Sequence, residues 1–211
     1  MKVISTNIGV ATAVLKNGKE VQTGIYKTSV EEPITLTKTG VVGDAVMDLK
    51  HHGGLDKACY LYSADHYDFW KEKFPDLYWT WGMFGENLTI EELNETKINI
   101  GDTFRIGSAV VQVSEPRRPC SVLGIRFGTQ DMIKLFYRLP YPGIYVRILE
   151  EGKVKVGDEL DLLNSFESIS VAEIFSLFAT QKENVTLAKK AINCSYLAKS
   201  CLQSIKEKFK I

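Results

Sequence analysis

Along residues 1–163, apolar and polar positions alternate in short runs. "VISTNIGVATAVL" (3–15), "PITLTKTG" (33–40), "KACYLY" (57–62) and "KINIGDTFRIG" (97–107) are four of them. "SAVVQVSEP" (108–116) and "GIYVRILEEGKVKVGDELDLL" (143–163) complete the set. β-Branched and aromatic residues between Gly, Asn and Asp punctuation predict strands and tight turns. A local repeat supports the reading, because "NIGDTFRI" (99–106) resembles "KVGDELDL" (155–162). In each, Gly-Asp makes a turn that feeds an alternating strand. Many short strands of this kind predict a mainly β fold, a closed or nearly closed barrel that leaves few exposed strand edges.

Two helices are expected inside the strand region. "SADHYDFWKEKF" (63–74) opens on Ser63 as N-cap and places Tyr67, Trp70 and Phe74 on one face. "TQDMIKLFYRL" (129–139) has Thr129 as cap, Ile133 and Phe136 among its apolar residues, and Pro140 and Pro142 as its stop. The aromatic set Tyr67, Trp70, Phe74, Tyr78, Trp79 and Trp81 is expected to form core and pocket wall. After Asn164 the period changes. "SVAEIFSLFA" starts with the capping-box pattern Ser170-x-x-Glu173, and "VTLAKKAI" and "SYLAKSCLQSIKEKF" follow. In the last, Leu202, Ile205 and Phe209 mark an apolar face. The expected organisation is a β-barrel domain with inserted helices over residues 1–163 and a three-helix module over 166–211.

Composition refines this only slightly. The 211 residues are 45% hydrophobic with a formal net charge of zero, as for a domain that buries a real core. From Lys182 to the end, seven lysines face Glu183 and Glu207, a net of +5, which leaves −5 on the remainder. A solvated helix face explains that tail better than a nucleic-acid site, because no arginine or Asn/Gln cluster marks a recognition helix. No apolar run is long enough to span a membrane, and no signal peptide is visible, so a cytoplasmic protein is expected. The four cysteines, Cys59, Cys120, Cys194 and Cys201, form no C-x-x-C pair and read as free thiols. Cys194 and Cys201 lie about 10 Å apart along a helix, too far for a disulfide.

Candidate chemistry gathers in three stretches. In "SEPRRPCSVL" (114–123) Cys120 follows Arg117, Arg118 and Pro119. Guanidinium groups stabilise a thiolate, and a helical turn beginning at "SVLGIRF" would do the same, so Cys120 is a candidate nucleophile or metal ligand. The bland alternative is a small core residue at a strand end. "GVVGDAVMDLKHHGGLDKACYLY" (40–62) holds His51, His52, Gly53 and Gly54 among Asp44, Asp48, Asp56 and Lys57. Adjacent histidines point apart and make a poor metal pair, and no further zinc ligands stand at sensible spacing. His52 is instead a candidate for positioning or protonating a substrate. Gly53 and Gly54 allow close backbone approach to a ligand. "WGMFGENLTI" (81–90) is either a turn or a source of N–H groups and the Asn87 amide for a ligand.

These stretches, in this order and followed by "GIYVRILEEGKVKVGD", resemble the MOSC family over roughly residues 20–163. That family is named from the C-terminal domain of molybdenum-cofactor sulfurases. The three-helix tail resembles the small C-terminal module of its YiiM-like bacterial subgroup. The resemblance implies a β-barrel with inserted helices and a molybdenum cofactor (molybdopterin). It implies Cys120 as the thiolate on molybdenum or as a sulfur carrier, with His52 matching the family's histidine. Lys27, Arg117 and Arg147 are implied as cationic partners of the pterin phosphate, with Asn87, Gly53 and Gly54 beside them. Which of Arg117 and Arg118 faces the site is open. The activity implied is reduction of N-hydroxylated compounds such as hydroxylamino nucleobases and amidoximes. Electrons would come from a separate reductase, since no flavin or iron–sulfur motif is visible. Two alternatives stay open: a sulfur-carrier protein working through a Cys120 persulfide, and a binding module for an anionic ligand. The residues do not decide the oligomeric state, a homodimer included.

Overall fold

The computed structural model describes residues 1–47, 52–167, 169–179 and 184–211; Asp48, His51, Lys182 and Glu183 lie outside them. The N-terminal half gives strands β1 (Lys2–Gly9), β2 (Thr12–Lys16), β3 (Lys19–Thr23), β4 (Lys27–Ser29), β5 (Ile34–Thr37) and β6 (Gly40–Val41). Then come β7 (Cys59–Ser63), β8 (Leu88–Glu91), β9 (Thr103–Ile106) and β10 (Ala109–Pro116). Strands β11 (Ile144–Glu150), β12 (Gly152–Val154) and β13 (Leu160–Asn164) complete the set. The helices are α1 (Tyr67–Lys73), α2 (Ser121–Arg126), α3 (Asp131–Phe136), α4 (Val171–Ala179), α5 (Val185–Ile192) and α6 (Lys199–Phe209).

The large sheet runs β13-β9-β10-β11-β7-β8-β1-β4, antiparallel except for β7 and β8. Its ends meet. The Val3 N–H donates to Asp158 O (2.9 Å), Gly157 N–H to Val3 O (2.8 Å) and Leu160 N–H to Met1 O (3.0 Å). These bonds join β1 to the start of β13 and give the sheet its barrel-like form, which hides most edge groups. The sequence repeat has a structural meaning here. Strands β9 and β13 pair antiparallel, Leu160 opposite Ile106 and Leu162 opposite Phe104. The glycine of each copy sits in the left-handed region, Gly101 at φ +99° and Gly157 at φ +94°, a conformation that costs glycine little.

Two apolar clusters fill the molecule. One lies inside the barrel around Val3, Leu88, Ile90, Val111, Val113 and Ile144. It continues into the C-terminal helices through Ile174, Ala188, Ala191, Cys201 and Ile205, so α4–α6 share a core with the sheet. The other is aromatic, built on Tyr62, Tyr67, Trp70, Phe84 and Phe136. Fully burying such a side chain stabilises by about 1.5–3 kcal/mol. Within the expected aromatic set, Tyr78 is the exception: it is 89% exposed. The others pack behind Phe84, and none of them lines the cavity described below.

Local signals mostly act as expected. The Ser170–Glu173 capping box forms in both directions, Ser170 N–H to Glu173 Oε2 (2.8 Å) and Glu173 N–H to Ser170 Oγ (3.1 Å). Ser63 caps a 3-10 turn, Ala64–His66, that precedes α1. Thr129 Oγ1 accepts the Asp131 N–H (3.2 Å), one residue outside the N-cap of α3. Residues 97–100, expected as strand, instead form turns and a single bridge from Asn99 to Ser170. There the Asp102 carboxylate takes up the N–H groups of Asn99 (2.8 Å) and Phe166 (2.9 Å), a side-chain competitor for the ladder. No helix among the described residues is long and apolar enough to cross a membrane.

Candidate functional site

Strand β10 is buried along its whole length and delivers Arg117 to one end of the barrel. The Arg117 N–H donates to Gly143 O (3.3 Å), which fixes the chain as it leaves the sheet. Pro116 and Pro119 bracket the two arginines, and Cys120 follows as the N-cap residue of α2. The arginines part company. Arg118 lies over the Phe178 ring of α4 at 4.6 Å. Arg117 points into a cavity and is 3% exposed.

That cavity opens to solvent, with about 860 Å³ of space between its walls, open solvent included. Lys27, His52, Asn87, Arg117 and Cys120 all line it. Gly53, Gly54 and Arg147 do not. Gly54 adopts φ +88° with open space where a side chain would be, and its carbonyl accepts the Lys57 N–H (3.0 Å). Gly54 therefore shapes the turn Leu55–Lys57. Arg147 reaches away from the cavity, bonded to Asp56, Gln112 Oε1 (2.9 Å) and Tyr196 O (2.9 Å).

Charge in the cavity is distributed unevenly. Lys27 is paired with the buried Asp44 carboxylate, which also accepts the Asn87 amide (2.9 Å) and the Gly9 N–H (2.8 Å). Asn87 accepts the Tyr60 N–H (3.3 Å), so its amide mainly braces the wall. Lys57, also in the lining, pairs with the buried Glu115 at 2.9 Å. Arg117 has no such carboxylate among the described residues. Its guanidinium stacks over Tyr60 (5.7 Å) and Phe136 (5.5 Å) and donates one long bond to Phe84 O (3.5 Å). Among the described residues its Nη1 is buried without a hydrogen-bond partner. A buried cation with an unused donor is costly unless an anion completes it.

Cys120 is one such anion. Burial alone would raise its pKa, but a hydrogen bond with His52, the Arg117 charge and the Leu123 N–H outweigh it and bring the thiol down to about 6. His52 in turn lies 3.3 Å, Nδ1 to Oη, from Tyr145. The site thus presents a thiolate, an imidazole beside it, a phenol beyond that, and a guanidinium with no carboxylate partner among the described residues. Tyr60, Phe84 and Tyr145 supply aromatic faces to the same cavity.

Sequence reasoning missed Tyr60, Phe84 and Tyr145 as lining residues. No local signal marks Tyr145, which depends on where β11 sits in the sheet. Asp44 and Lys57 stood out as charged, but without a role. Among the described residues no group of three or more His, Cys, Asp or Glu side chains is placed to hold a metal ion.

Comparison with known proteins follows this geometry. YflK of Bacillus subtilis (strain 168) is 38% identical over 207 residues, covering 98% of this chain and 93% of YflK. A Gibberella moniliformis (strain M3125 / FGSC 7600) protein named a reductase is 36% identical over 150 residues, which cover 69% of this chain and 26% of that protein. The crystal structure of YiiM from Geobacillus stearothermophilus superposes with a TM-score of 0.81 at 29% identity, covering 99% of this chain and 98% of YiiM. The YflK and YiiM matches take in the C-terminal helices. Residues 48–161 match the MOSC domain, and the chain belongs to the MOSC family.

Proposed function

We propose that the chain is a molybdenum-cofactor-dependent oxidoreductase that reduces N-hydroxylated compounds, with hydroxylamino nucleobases and amidoximes as the substrate class. The observation that carries this reading is the pairing, in one cavity, of a low-pKa thiolate at Cys120 with a buried Arg117 whose Nη1 has no hydrogen-bond partner among the described residues. The donor set fits the family's cofactor. A soft thiolate suits molybdenum, and a guanidinium without a carboxylate partner suits a phosphate. The reductase name of the Gibberella moniliformis relative is consistent with such chemistry.

Cys120 would hold the metal, Arg117 would take the phosphate, and Lys27, already neutralised by Asp44, would contribute less charge. The bound cofactor supplies the two-electron redox centre. The overall change is R–NHOH + 2 e⁻ + 2 H⁺ → R–NH₂ + H₂O, so protons must reach the departing oxygen. His52 is the group placed for that, beside Cys120 and backed by the Tyr145 hydroxyl. Tyr60 and Phe84 offer flat apolar surface for an aromatic substrate. Electrons would arrive from a separate reductase.

The test is anaerobic turnover of a hydroxylamino nucleobase by cofactor-loaded protein with a reduced viologen donor, beside Cys120→Ser. Turnover lost in the variant supports the reading, and none in the loaded wild type contradicts it. The exposed side of the same thiolate also suits a persulfide carrier. A persulfide on Cys120 in protein free of molybdenum would favour that second reading.

A further inference from the structure

Arg147 and Asp56 lie outside the cavity, yet they hold the segment that carries His52. Tyr145 and Arg147 share one face of β11, and both reach the chain between residues 52 and 57. Tyr145 takes the imidazole, with Oη 3.3 Å from Nδ1. Arg147 takes the Asp56 carboxylate, Nε at 2.9 Å and Nη2 at 2.8 Å. From β10, the Ser114 hydroxyl lies 2.5 Å from Asp56 O and 2.8 Å from Tyr145 O. A rigid floor of two paired strands therefore grips this segment at both ends.

The C-terminal chain grips it from the other side. The Lys199 N–H donates to Asp56 Oδ2 (3.3 Å), Tyr196 O accepts from Arg147 Nη2 (2.9 Å), and the Ala198 N–H donates to Ser114 O (3.0 Å). Between His52 and the clamped turn stand only Gly53 and Gly54. Neither has a side chain to pack, so the backbone path to His52 depends on its anchors. None of the described residues from 166 onward lines the cavity. We infer that the Arg147–Asp56 pair and the segment Tyr196–Lys199 position His52 against Cys120, so that the C-terminal helices act on the cavity without touching it. Arg147 and Asp56 are positioning residues in this account, whichever chemistry Cys120 performs.

The test uses the full chain, which has three histidines, and reads the imidazole signals by NMR together with amide hydrogen exchange. In the wild type His52 shows one tautomer, fixed by Tyr145. Arg147→Met should average that signal and speed exchange of the Lys57 and Ala58 amides about tenfold. His66, held separately on Glu95 (3.2 Å), should not change. Arg147→Lys keeps a cation on Asp56 and should restore most of the His52 signature. Lys199→Pro removes the N–H that reaches Asp56 together with an exposed lysine side chain, whose loss alone, in Lys199→Ala, should leave the His52 signal unchanged. Proline suits the first position of a helix, and Ala198 before it has the extended ψ of 135° that proline requires. It should speed the same amides about threefold while α6 remains intact. The inference is overturned if the His52 signal and the 57–58 amides stay as in wild type in both Arg147→Met and Lys199→Pro. It is equally overturned if His66 and the barrel amides change in step with His52, which would mean general loosening. Should Arg147→Met fail to fold, Lys199→Pro decides.

Discussion

Cys120, just past the end of β10, and Cys201, on α6, are both largely buried, and their thiols are pushed in opposite directions. Burial raises Cys201, and the nearby Glu115 raises it further, so it stays a neutral thiol. Burial raises Cys120 too, yet His52, Arg117 and the Leu123 N–H overturn that and leave it low, at about 6. The strand itself makes the difference: Glu115 and Arg117 stand two residues apart on β10 and its exit. Within two residues at one end of the strand, the chain thus serves an inert core and an anion site. Depth of burial does not make a cysteine reactive; directed charge does.

The largest effect that would break this comparison is at Arg117. Arg117→Met keeps the apolar bulk and removes the cation, and is expected to reduce molybdenum content and turnover at least about a hundredfold. Metal analysis and steady-state assays check it. A variant that loads and turns over normally would place the anion site elsewhere.

Next comes the pH dependence of the thiols. A depressed Cys120 pKa means the folded protein binds the proton less readily than the unfolded chain. Its stabilising contribution is full above the unfolded thiol pKa of about 8.5 and is lost as pH falls through about 6. Alkylation of Cys120 in cofactor-free protein should therefore rise with a midpoint near pH 6. His52→Ala is expected to move that midpoint up by about one unit or more. Cys201 should stay unmodified in the native protein across the same range, and its labelling at neutral pH would undo the contrast.

A smaller change sharpens the comparison from the core side. Cys201→Ser puts a hydroxyl into the apolar cluster and should cost about 1–3 kcal/mol in urea unfolding, with the Cys120 midpoint unmoved. The smallest effect is expected at the capping box. Ser170→Ala should cost about 1 kcal/mol and leave the cavity unchanged.

Much of this was legible in the sequence, for specific reasons. Strand alternation and the Gly-Asp repeat announced the sheet, because a period of two and a left-handed turn are local properties. The Ser170–Glu173 box announced α4 for the same reason. Cys120 drew attention because its cationic neighbours are adjacent in sequence. What remained hidden depends on distant pairing. Nothing local separates Arg117 from Arg118, and only the packing of α4 shows that Arg118 belongs to Phe178. The family resemblance implied Arg147 as a cationic partner of the pterin phosphate. Asp56, 91 residues away, gives it another task. Tyr145 was unreadable without knowing that β11 lies between β7 and β10.

The central claim is that Cys120 and Arg117 together form a cofactor site. Its most direct test is molybdenum content by mass spectrometry on protein from a molybdopterin-producing host, with wild type beside Cys120→Ser and Arg117→Met. The account predicts near-stoichiometric molybdenum in the wild type and little in either variant. Wild type without molybdenum in a host with proven cofactor supply, or equal loading of all three proteins, would contradict it.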